Sequence, residues 1–587
     1  VFVAMPVTTF LTSPGELGIH LDRMITINGR NVMVVLYSGL IIYALVFFAE
    51  IRATLTLLVV PAFFICWLYA FVMPFGYPMM SGLAFEQVPT PWLEVLLRSL
   101  LDLLILLGLI AALRFFFRRK GARPVLVVLM LANLSIVLAV AIEVGRGHAG
   151  EAGVAKVDPS LKQPIHLSTS NPNVLIIFLD RFMGSYMEAI LEKEPELAQR
   201  LSGFTWYPRT VSAGENSIAG IHPMLGGYDY TPSEMNARQR PLRELSIEAF
   251  SILPYNFAKK SHRVNVISPR GLGFTMKGDC SFFDIPGVSC SHIPASISQK
   301  KAVSMGFSLH KLSEANYGEL LVILGSMRVA PYLFKEIIYT KGPWQTFLDH
   351  SAGTTFREWA ELDALDEMTA VDDGASSFNF ISNILPHEPY YIGEDCLPRQ
   401  TRLEASAEHR ARLGYKSLFS MQHAVTAHCS LALVANYMDF LKQKGVYDNT
   451  KVIVVSDHGI VGDVVDTSSR AVAGGATANK FVRLRPLVLV KEAGAEGPLT
   501  ISEAFMPNAE VPIMACKDIG GCVNPYLGDK AVESHGRNDP FITFSVPWQF
   551  SAQQRDKFVI KSTLVLRGKD PFKIENWVEM NEVPDSP

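Results

Sequence analysis

No two cysteines in this sequence are spaced as CxxC, which removes zinc-ribbon and thioredoxin-like readings at the outset. Neither sign of charge is in excess: 53 basic residues against 56 acidic ones leave a formal net charge of -3, so no global field draws the chain toward nucleic acid. Internal repeats are absent, which sets aside repeat architectures. Charge is missing altogether from three long stretches, Val32 to Ala49, Ala53 to Phe75 and Pro124 to Ile142. Each is close to the roughly 20 apolar residues that a helix needs to cross a bilayer.

What the sequence does contain divides in two. At 587 residues the chain is too long for one compact core. Its mean hydropathy of +0.22 comes from the first 150 residues, and the remainder has the composition of a water-facing domain. A fourth apolar stretch, Leu93 to Phe117, carries Glu94, Arg98, Asp102 and Arg114 near its ends, as interfacial snorkelling allows. The opening VFVAMPVTTFLT resembles the tail of an earlier span, so the expected division is a membrane bundle over 1–143, a tether over 144–170 and an outer domain over 171–587. Arg114, Arg118, Arg119, Lys120 and Arg123 cluster between the last two spans, which the positive-inside rule assigns to the cytoplasm. Everything beyond about residue 143, and the loop over 75–92, is then expected on the periplasmic or extracellular side of a plasma membrane.

Cysteine usage fits an oxidising compartment. Six of the seven cysteines lie in the outer part, where the spacings Cys280 to Cys290 and Cys516 to Cys522 invite disulfides and leave Cys396 with Cys429 as a third pair. The alternative on spacing alone is seven reduced core thiols; Cys66 is expected to be buried in a span.

Past the tether, continuous aliphatic runs alternate with helical patterns. Asn173 to Leu179 reads as a buried parallel strand, and Tyr186 to Leu201 as its crossover helix. Further strand-like runs fall at Val264 to Ile267, Phe378 to Leu385, Val452 to Val455 and Leu487 to Val490, with a helical pattern from Leu413 to Lys444. The fold class is therefore α/β, a bundle of transmembrane helices followed by a central, mainly parallel sheet flanked by helices.

In such sheets ligands bind outside the carboxyl ends of the strands. Those ends carry Asp180-Arg181, then Ser268-Pro269-Arg270, then Pro386-His387-Glu388-Pro389-Tyr390, then Ser456-Asp457-His458-Gly459. A strand end turning through Gly459 allows adjacent Asp457 and His458 to face one ion, and carboxylate with imidazole suits Zn²⁺ or Mn²⁺. Asp180 taken alone reads equally as a helix N-cap, but three ligand-type residues at two strand ends point to a shared cation. The small-residue turn Ala213-Gly214-Glu215-Asn216 places Ser217 at a helix N-terminus, where an N-cap and an anion-facing nucleophile are the two readings. Beside a metal the second prevails, because a Ser oxygen can then attack phosphorus and form a covalent intermediate. His222 is kept as an outer partner of Ser217, His423 and His428 are set aside as ordinary helix histidines, and His535 with Arg537 in ESHGRND offers a possible anion contact.

NVLIIFLD, the Ser217 segment ending in Leu225-Gly226-Gly227, HEPY, and KQKGVYDNTKVIVVSDHG, over about residues 171 to 460, resemble the alkaline phosphatase and sulfatase superfamily. With the apolar N-terminal part, the chain resembles the lipoteichoic acid synthase and phosphoglycerol transferase branch; RPLVLVK and FMPNAEVP look like the tail of such relatives. The resemblance implies a metal held by Asp180, Ser217, Asp457 and His458, with Ser217 as nucleophile, His387 as a phosphate- or leaving-group-binding histidine and Arg270 as a further catalytic residue. Envelope transferases usually carry Thr and Glu where this chain has Ser217 and Asp180, and the sulfatase signature is broken because Ile221 stands where its Arg belongs.

The expected function is a metal-dependent transferase that moves a phosphoglycerol or phosphoethanolamine substituent from a membrane lipid to an envelope glycan or lipid. The competing readings are a hydrolase of phosphodiesterase or phosphatase type and an inactive envelope regulator on the same fold.

Overall fold

The structure, a computed structural model, describes residues 59–69, 92–150, 163–269, 280–307, 352–459, 481–548 and 552–580, short gaps aside, with scattered positions in 26–41 and 322–338. The chain divides into two compact units: residues 1–80, 89–159 and 308–349 form one, and residues 81–88, 160–307 and 350–587 the other. Segment 308–349, expected in the outer domain, thus groups with the N-terminal unit.

In the first unit, helix α1 (Trp92–Lys120) contains the expected span from Leu93, and α2 (Arg123–Gly150) contains the one from Pro124. Apolar residues lie on every side of these helices, and Leu104, Met130 and Leu134 are each more than 60% exposed. The indole N–H of Trp67 donates to Ser135 Oγ at 3.0 Å, satisfying two polar groups between apolar helices. Two described helices are long and apolar enough to cross a membrane: the Leu96–Arg119 part of α1, and Leu418–Gln443, which is mostly buried inside the second unit. Roughly half of each of the stretches from Val32 and Ala53 falls outside the described residues, as do the opening dozen and most of the 75–92 loop, and Val59–Tyr69 is a shorter apolar helix. Cys66 is half-buried rather than buried. The expected tether is shorter than 144–170, since α2 continues to Gly150 and Ile165–Ser168 forms a strand paired with Thr369–Asp372.

The second unit is built on an eight-stranded sheet. Its strands are β1 (Asn173–Leu179), β2 (Phe204–Trp206), β3 (Arg263–Ile267), β4 (Val288–Ser291), β5 (Ser377–Asn383), β6 (Thr450–Val455), β7 (Val488–Lys491) and β8 (Thr500–Ile501). Their order across the sheet is β8-β2-β7-β6-β1-β5-β3-β4, and β7 alone runs against the rest. Every residue of β1, β5 and β6 is buried, which is why β1 and β6 read as nearly continuous apolar runs rather than alternating ones, while β5 (SFNFISN) also buries Ser377, Asn379, Ser382 and Asn383. Val174, Ile176 and Phe178 share a core with Phe378, Phe380, Ile453 and Val455 and with the apolar faces of α3 (Ser217–Gly226) and α4 (Leu242–Lys259). Each such fully buried side chain stabilises the fold by about 1.5–3 kcal/mol. The expected crossover helix is two short ones, Met187–Lys193 and Pro195–Arg200, because Pro195 cannot continue the first. Helix α5 (Leu418–Gln443) packs against Ala352–Asp363, and a small antiparallel sheet, β9 (Phe541–Ser545), β10 (Ser562–Leu566) and β11 (Trp577–Met580), closes the C-terminal end.

All three expected disulfides are present: Cys280–Cys290, Cys396–Cys429 and Cys516–Cys522, with Cα separations of 5.4, 5.1 and 5.3 Å. Cys396–Cys429 closes a 33-residue separation between the loop after β5 and helix α5. Replacing both by Ser is expected to cost about 2–4 kcal/mol through the freedom returned to the unfolded chain. Calorimetry reads this as a fall of several degrees in Tm; an unchanged Tm would contradict it.

Candidate active site

Strand register creates the site. Phe178 of β1 pairs with Val455 of β6 in a parallel ladder, so two residues further on the two chains bring Asp180 alongside Asp457. One ligand atom each from Asp180, Asp457 and His458 lie within 4.8 Å of one another, and all three residues are buried. Such a group can hold a metal ion.

The surroundings are ordered around these atoms. His458 Nδ1–H donates to the Gly459 carbonyl, which fixes the tautomer and leaves the Nε2 lone pair facing inward. Burial pushes the imidazole pKa down to about 4, against the pull of Asp457, so it stays neutral. Asp457 Oδ1 accepts from the backbone N–H of His458 at 2.9 Å and of Arg181 at 3.3 Å. Its other oxygen, Oδ2, has no hydrogen bond among the described residues and sits 3.4 Å from His458 Nε2. Two lone-pair acceptors facing each other in a buried site are costly unless something positive lies between them, which is the condition a divalent cation meets. The strand end is held by Asn508, whose amide donates to the carbonyls of Ser456 and Asp457 at 3.1 and 2.7 Å, and by Ser456 Oγ–H on the Phe182 carbonyl at 2.6 Å.

Ser217 reaches the same place from a different element. It is the first residue of α3, while Asn216 takes the cap position with an extended φ of -150° and gives its amide to the Val546 carbonyl. Ser217 Oγ lies 3.2 Å from His458 Nε2. The approach depends on Gly220: a Cβ there would stand 3.0 Å from the Asp457 carbonyl and 2.9 Å from Ser212 Oγ. Beneath the serine, Glu215 pairs with Arg483 and accepts from Ser545 Oγ at 2.7 Å, so β9 braces the turn. Because β7 runs opposite to its neighbours, the chain leading into it passes this edge, and the Arg483 carbonyl accepts from Gly459 N at 2.6 Å.

Arg181 adopts a left-handed backbone with φ 62°, unusual for a residue with a Cβ. Three contacts over-determine it. Its N–H bonds Asp457, its guanidinium pairs with Glu388, and its carbonyl accepts from His423 Nε2–H at 3.1 Å. Tyr186 O–H completes the chain by donating to His423 Nδ1 at 2.9 Å. Burial, the largest single influence, raises the Glu388 carboxyl, but Arg181 and His387 with the hydrogen bonds together outweigh it and hold the pKa at about 2. His423 was expected to be an ordinary helix histidine; the structure places it under the turn that aims Asp180. Changing His423 to Ala is therefore expected to lower metal affinity and turnover by about 10–100-fold, measured by metal titration beside steady-state rates. His423→Gln, which keeps a donor, should recover part of this, and an equal loss in both variants would exclude the hydrogen bond as the cause.

The remaining expectations fall on both sides. His387 sits in the loop after β5 with Nδ1 2.7 Å from the Glu388 carbonyl, close enough for its charge to act on Glu388 and His458. His222 is not an outer partner of Ser217: it faces away into the core, with Nε2 2.8 Å from Ser246 Oγ and its ring against Phe250 and Phe558. Burial holds it neutral, with a pKa of about 3. His428 pairs with Glu194 at 2.9 Å, beside the Cys396–Cys429 disulfide. Arg270, His535 and Arg537 lie outside the described residues. Arg181 and Glu388 stand at the strand ends singled out in the sequence but with no role expected for them, nor for Glu215, Arg483 or Asn508. The FMPNAEVP segment contained a signal for the last of these, since polar Asn508 and Glu510 set among apolar residues call for buried partners.

No protein-family model matches the chain, and no curated protein sequence matches it. Among solved structures it is similar to a protein of the alkaline phosphatase superfamily from Vibrio parahaemolyticus, at 14% identity and a TM-score of 0.36 over 73% of this chain and 85% of that one. It is also similar to the lipoteichoic acid synthase LtaP from Listeria monocytogenes, at 10% identity and a TM-score of 0.35 over 71% and 86% of the two chains. A third similarity is to the phosphonate monoester hydrolase of Agrobacterium radiobacter, at 15% identity and a TM-score of 0.36 over 70% and 88%. All three TM-scores lie below 0.5, so what the site can do is decided by the geometry of Asp180, Ser217, Asp457 and His458.

Proposed function

We propose that this chain is a membrane-anchored, metal-dependent transferase that takes a phospho-substituent of the phosphoglycerol or phosphoethanolamine type from a lipid donor and passes it, through a covalent intermediate on Ser217, to an envelope glycan or lipid. The observation that carries the reading is Ser217 Oγ at 3.2 Å from His458 Nε2, beside two buried carboxylates contributed by neighbouring strands. Asp180, Asp457, His458 and Ser217 are the residues that would hold a divalent cation of the Zn²⁺ or Mn²⁺ kind, which supplies charge neutralisation at the nucleophile and at the phosphoryl oxygens.

This chain's own groups account for the rest. Ser217 Oγ bonds to phosphorus as the bond to the lipid's glycerol oxygen breaks, and that oxygen leaves with the serine's proton. A hydroxyl of the acceptor then displaces Ser217 and returns a proton to it. The N-terminus of α3 presents its positive dipole end to the phosphoryl group, and Arg181 and His387 stand at the rim as further partners for anionic oxygens. The exposed apolar side chains of α1 and α2, the apolar runs before them and the basic cluster from Arg114 to Arg123 support membrane anchoring with the second unit on the outer side of the plasma membrane. Tethering keeps lipid headgroups at high effective concentration.

The test is incubation of the purified full chain with headgroup-labelled phosphatidylglycerol or phosphatidylethanolamine, with and without acceptor and chelator. Chelator-sensitive label on the acceptor is the expected result. Release of free headgroup regardless of acceptor would make the protein a hydrolase, and no consumption of either lipid would reject the proposal.

A further inference from the structure

Two arginines adjoin the segments that carry the four clustered residues, and each is already neutralised: Arg483 by Glu215, two residues before Ser217, and Arg181, next to Asp180, by Glu388. The two pairs differ in how readily they can open. Glu215 keeps a second partner in Ser545, and both members of its pair are about 15% exposed. Arg181 and Glu388 are 22% and 32% exposed, and Glu388 has no other side-chain hydrogen bond among the described residues. The hydroxyl of Tyr390, two residues on, is buried and has no hydrogen bond among the described residues, while Glu388, Arg181 and Asp180 all act on it. A polar group is thus held beside an ion pair, within electrostatic reach of Asp180.

A phosphoryl oxygen that takes Arg181 must break the pair and leave Glu388 without its cation, which is costly in a half-buried site. A headgroup carrying a primary ammonium a few bonds from its phosphate removes that cost, because ligand and protein exchange partners: phosphate with Arg181, ammonium with Glu388. A glycerol headgroup brings hydroxyls but no positive charge.

Resting on the transferase reading above, we propose that Arg181 and Glu388 form the headgroup subsite, and that the donor is a zwitterionic aminoalkyl phospholipid, the group passing to Ser217 being an aminoalkyl phosphate. The bond formed is Ser217 Oγ to phosphorus, the bond broken joins phosphorus to the diacylglycerol oxygen, and the serine's proton leaves with that oxygen. The ammonium remains on the transferred group throughout, with Glu388 as its counter-ion.

The experiment compares phosphatidylethanolamine with phosphatidylglycerol at matched concentration in mixed micelles, using the full chain, Glu388→Gln and Glu388→Asp, and reads kcat/KM together with the mass of the Ser217 adduct. Wild type is expected to prefer the ethanolamine donor by about tenfold or more, the worth of one compensated charge. Glu388→Gln should lose about that factor on this donor and with it the preference, while Glu388→Asp, which keeps the charge, should retain the preference. A wild type that prefers phosphatidylglycerol, or a Glu388→Gln that falls equally on both donors, overturns the assignment and leaves the pair as a support for Arg181 alone. Consumption of neither lipid overturns the transferase reading, and this assignment with it.

Discussion

Ser217→Ala is expected to stop turnover, with a loss on the order of 10⁴ to 10⁶ in kcat, as when the nucleophile of a covalent mechanism is removed. The fold should survive almost untouched. Ser217 is the first residue of α3 but not its cap, a position Asn216 fills, so no capping hydrogen bond is lost. Truncation removes one oxygen at 3.2 Å from His458 Nε2 and leaves the Asp180, Asp457 and His458 atoms within 4.8 Å of each other. Metal binding should therefore weaken but persist, because the two carboxylates and the imidazole remain. Three measurements on one sample make the case: rate, metal content, and mass spectrometry of the Ser217 peptide after mixing with donor lipid. Wild type should carry the adduct and the variant none. A variant that kept full turnover would sink the mechanism, whatever its metal content.

How much of this was legible beforehand depends on which physical signal each part leaves in the sequence. β1 was readable to the residue because both its faces are buried, and Val174 to Leu179 is then an unbroken apolar run with a charged residue at its end. β6 and the Asp457-His458 pair follow the same logic. The disulfides were readable from short spacings in an outer domain. β2 and β8, of three and two residues, are too short to show a period, and they extend the sheet only by pairing at its edge. The left-handed turn at Arg181 leaves no trace, since nothing in a residue's identity announces a φ of 62° unless it is glycine. His423 was passed over for a related reason. On the mostly buried α5 it occupies a position of the same helical period as the core, and only the arrival of the Arg181 carbonyl from β1 gives it a task. The allegiance of segment 308–349 to the N-terminal unit is a tertiary fact, and composition alone does not assign it.

Asp457→Asn tests the metal site from the opposite direction, through stability. The substitution is isosteric, so Oδ1 still accepts from the backbone N–H of His458 and Arg181 at 2.9 and 3.3 Å. What changes is the oxygen that has no hydrogen bond among the described residues: an amide N–H₂ takes its place, 3.4 Å from a His458 Nε2 that can accept. Without metal, the variant is thus expected to be more stable than wild type by about 1–3 kcal/mol, the cost of a buried polar atom left unsatisfied. With metal the order should reverse. A cation that binds only the folded wild type adds about 4 kcal/mol at a thousand times its Kd, and the variant, offering a donor where a ligand is needed, gains little. Turnover should fall with the metal, by at least the 10–100-fold that loss of an outer partner alone would cause. Thermal unfolding of both proteins, each with chelator and with saturating Zn²⁺ or Mn²⁺, decides the matter. The crossing of the two stabilities is the signature, and it arises only if the two carboxylates and the imidazole, contributed by adjacent parallel strands, are arranged to receive a cation. Equal stabilisation of both proteins by metal would place the cation elsewhere.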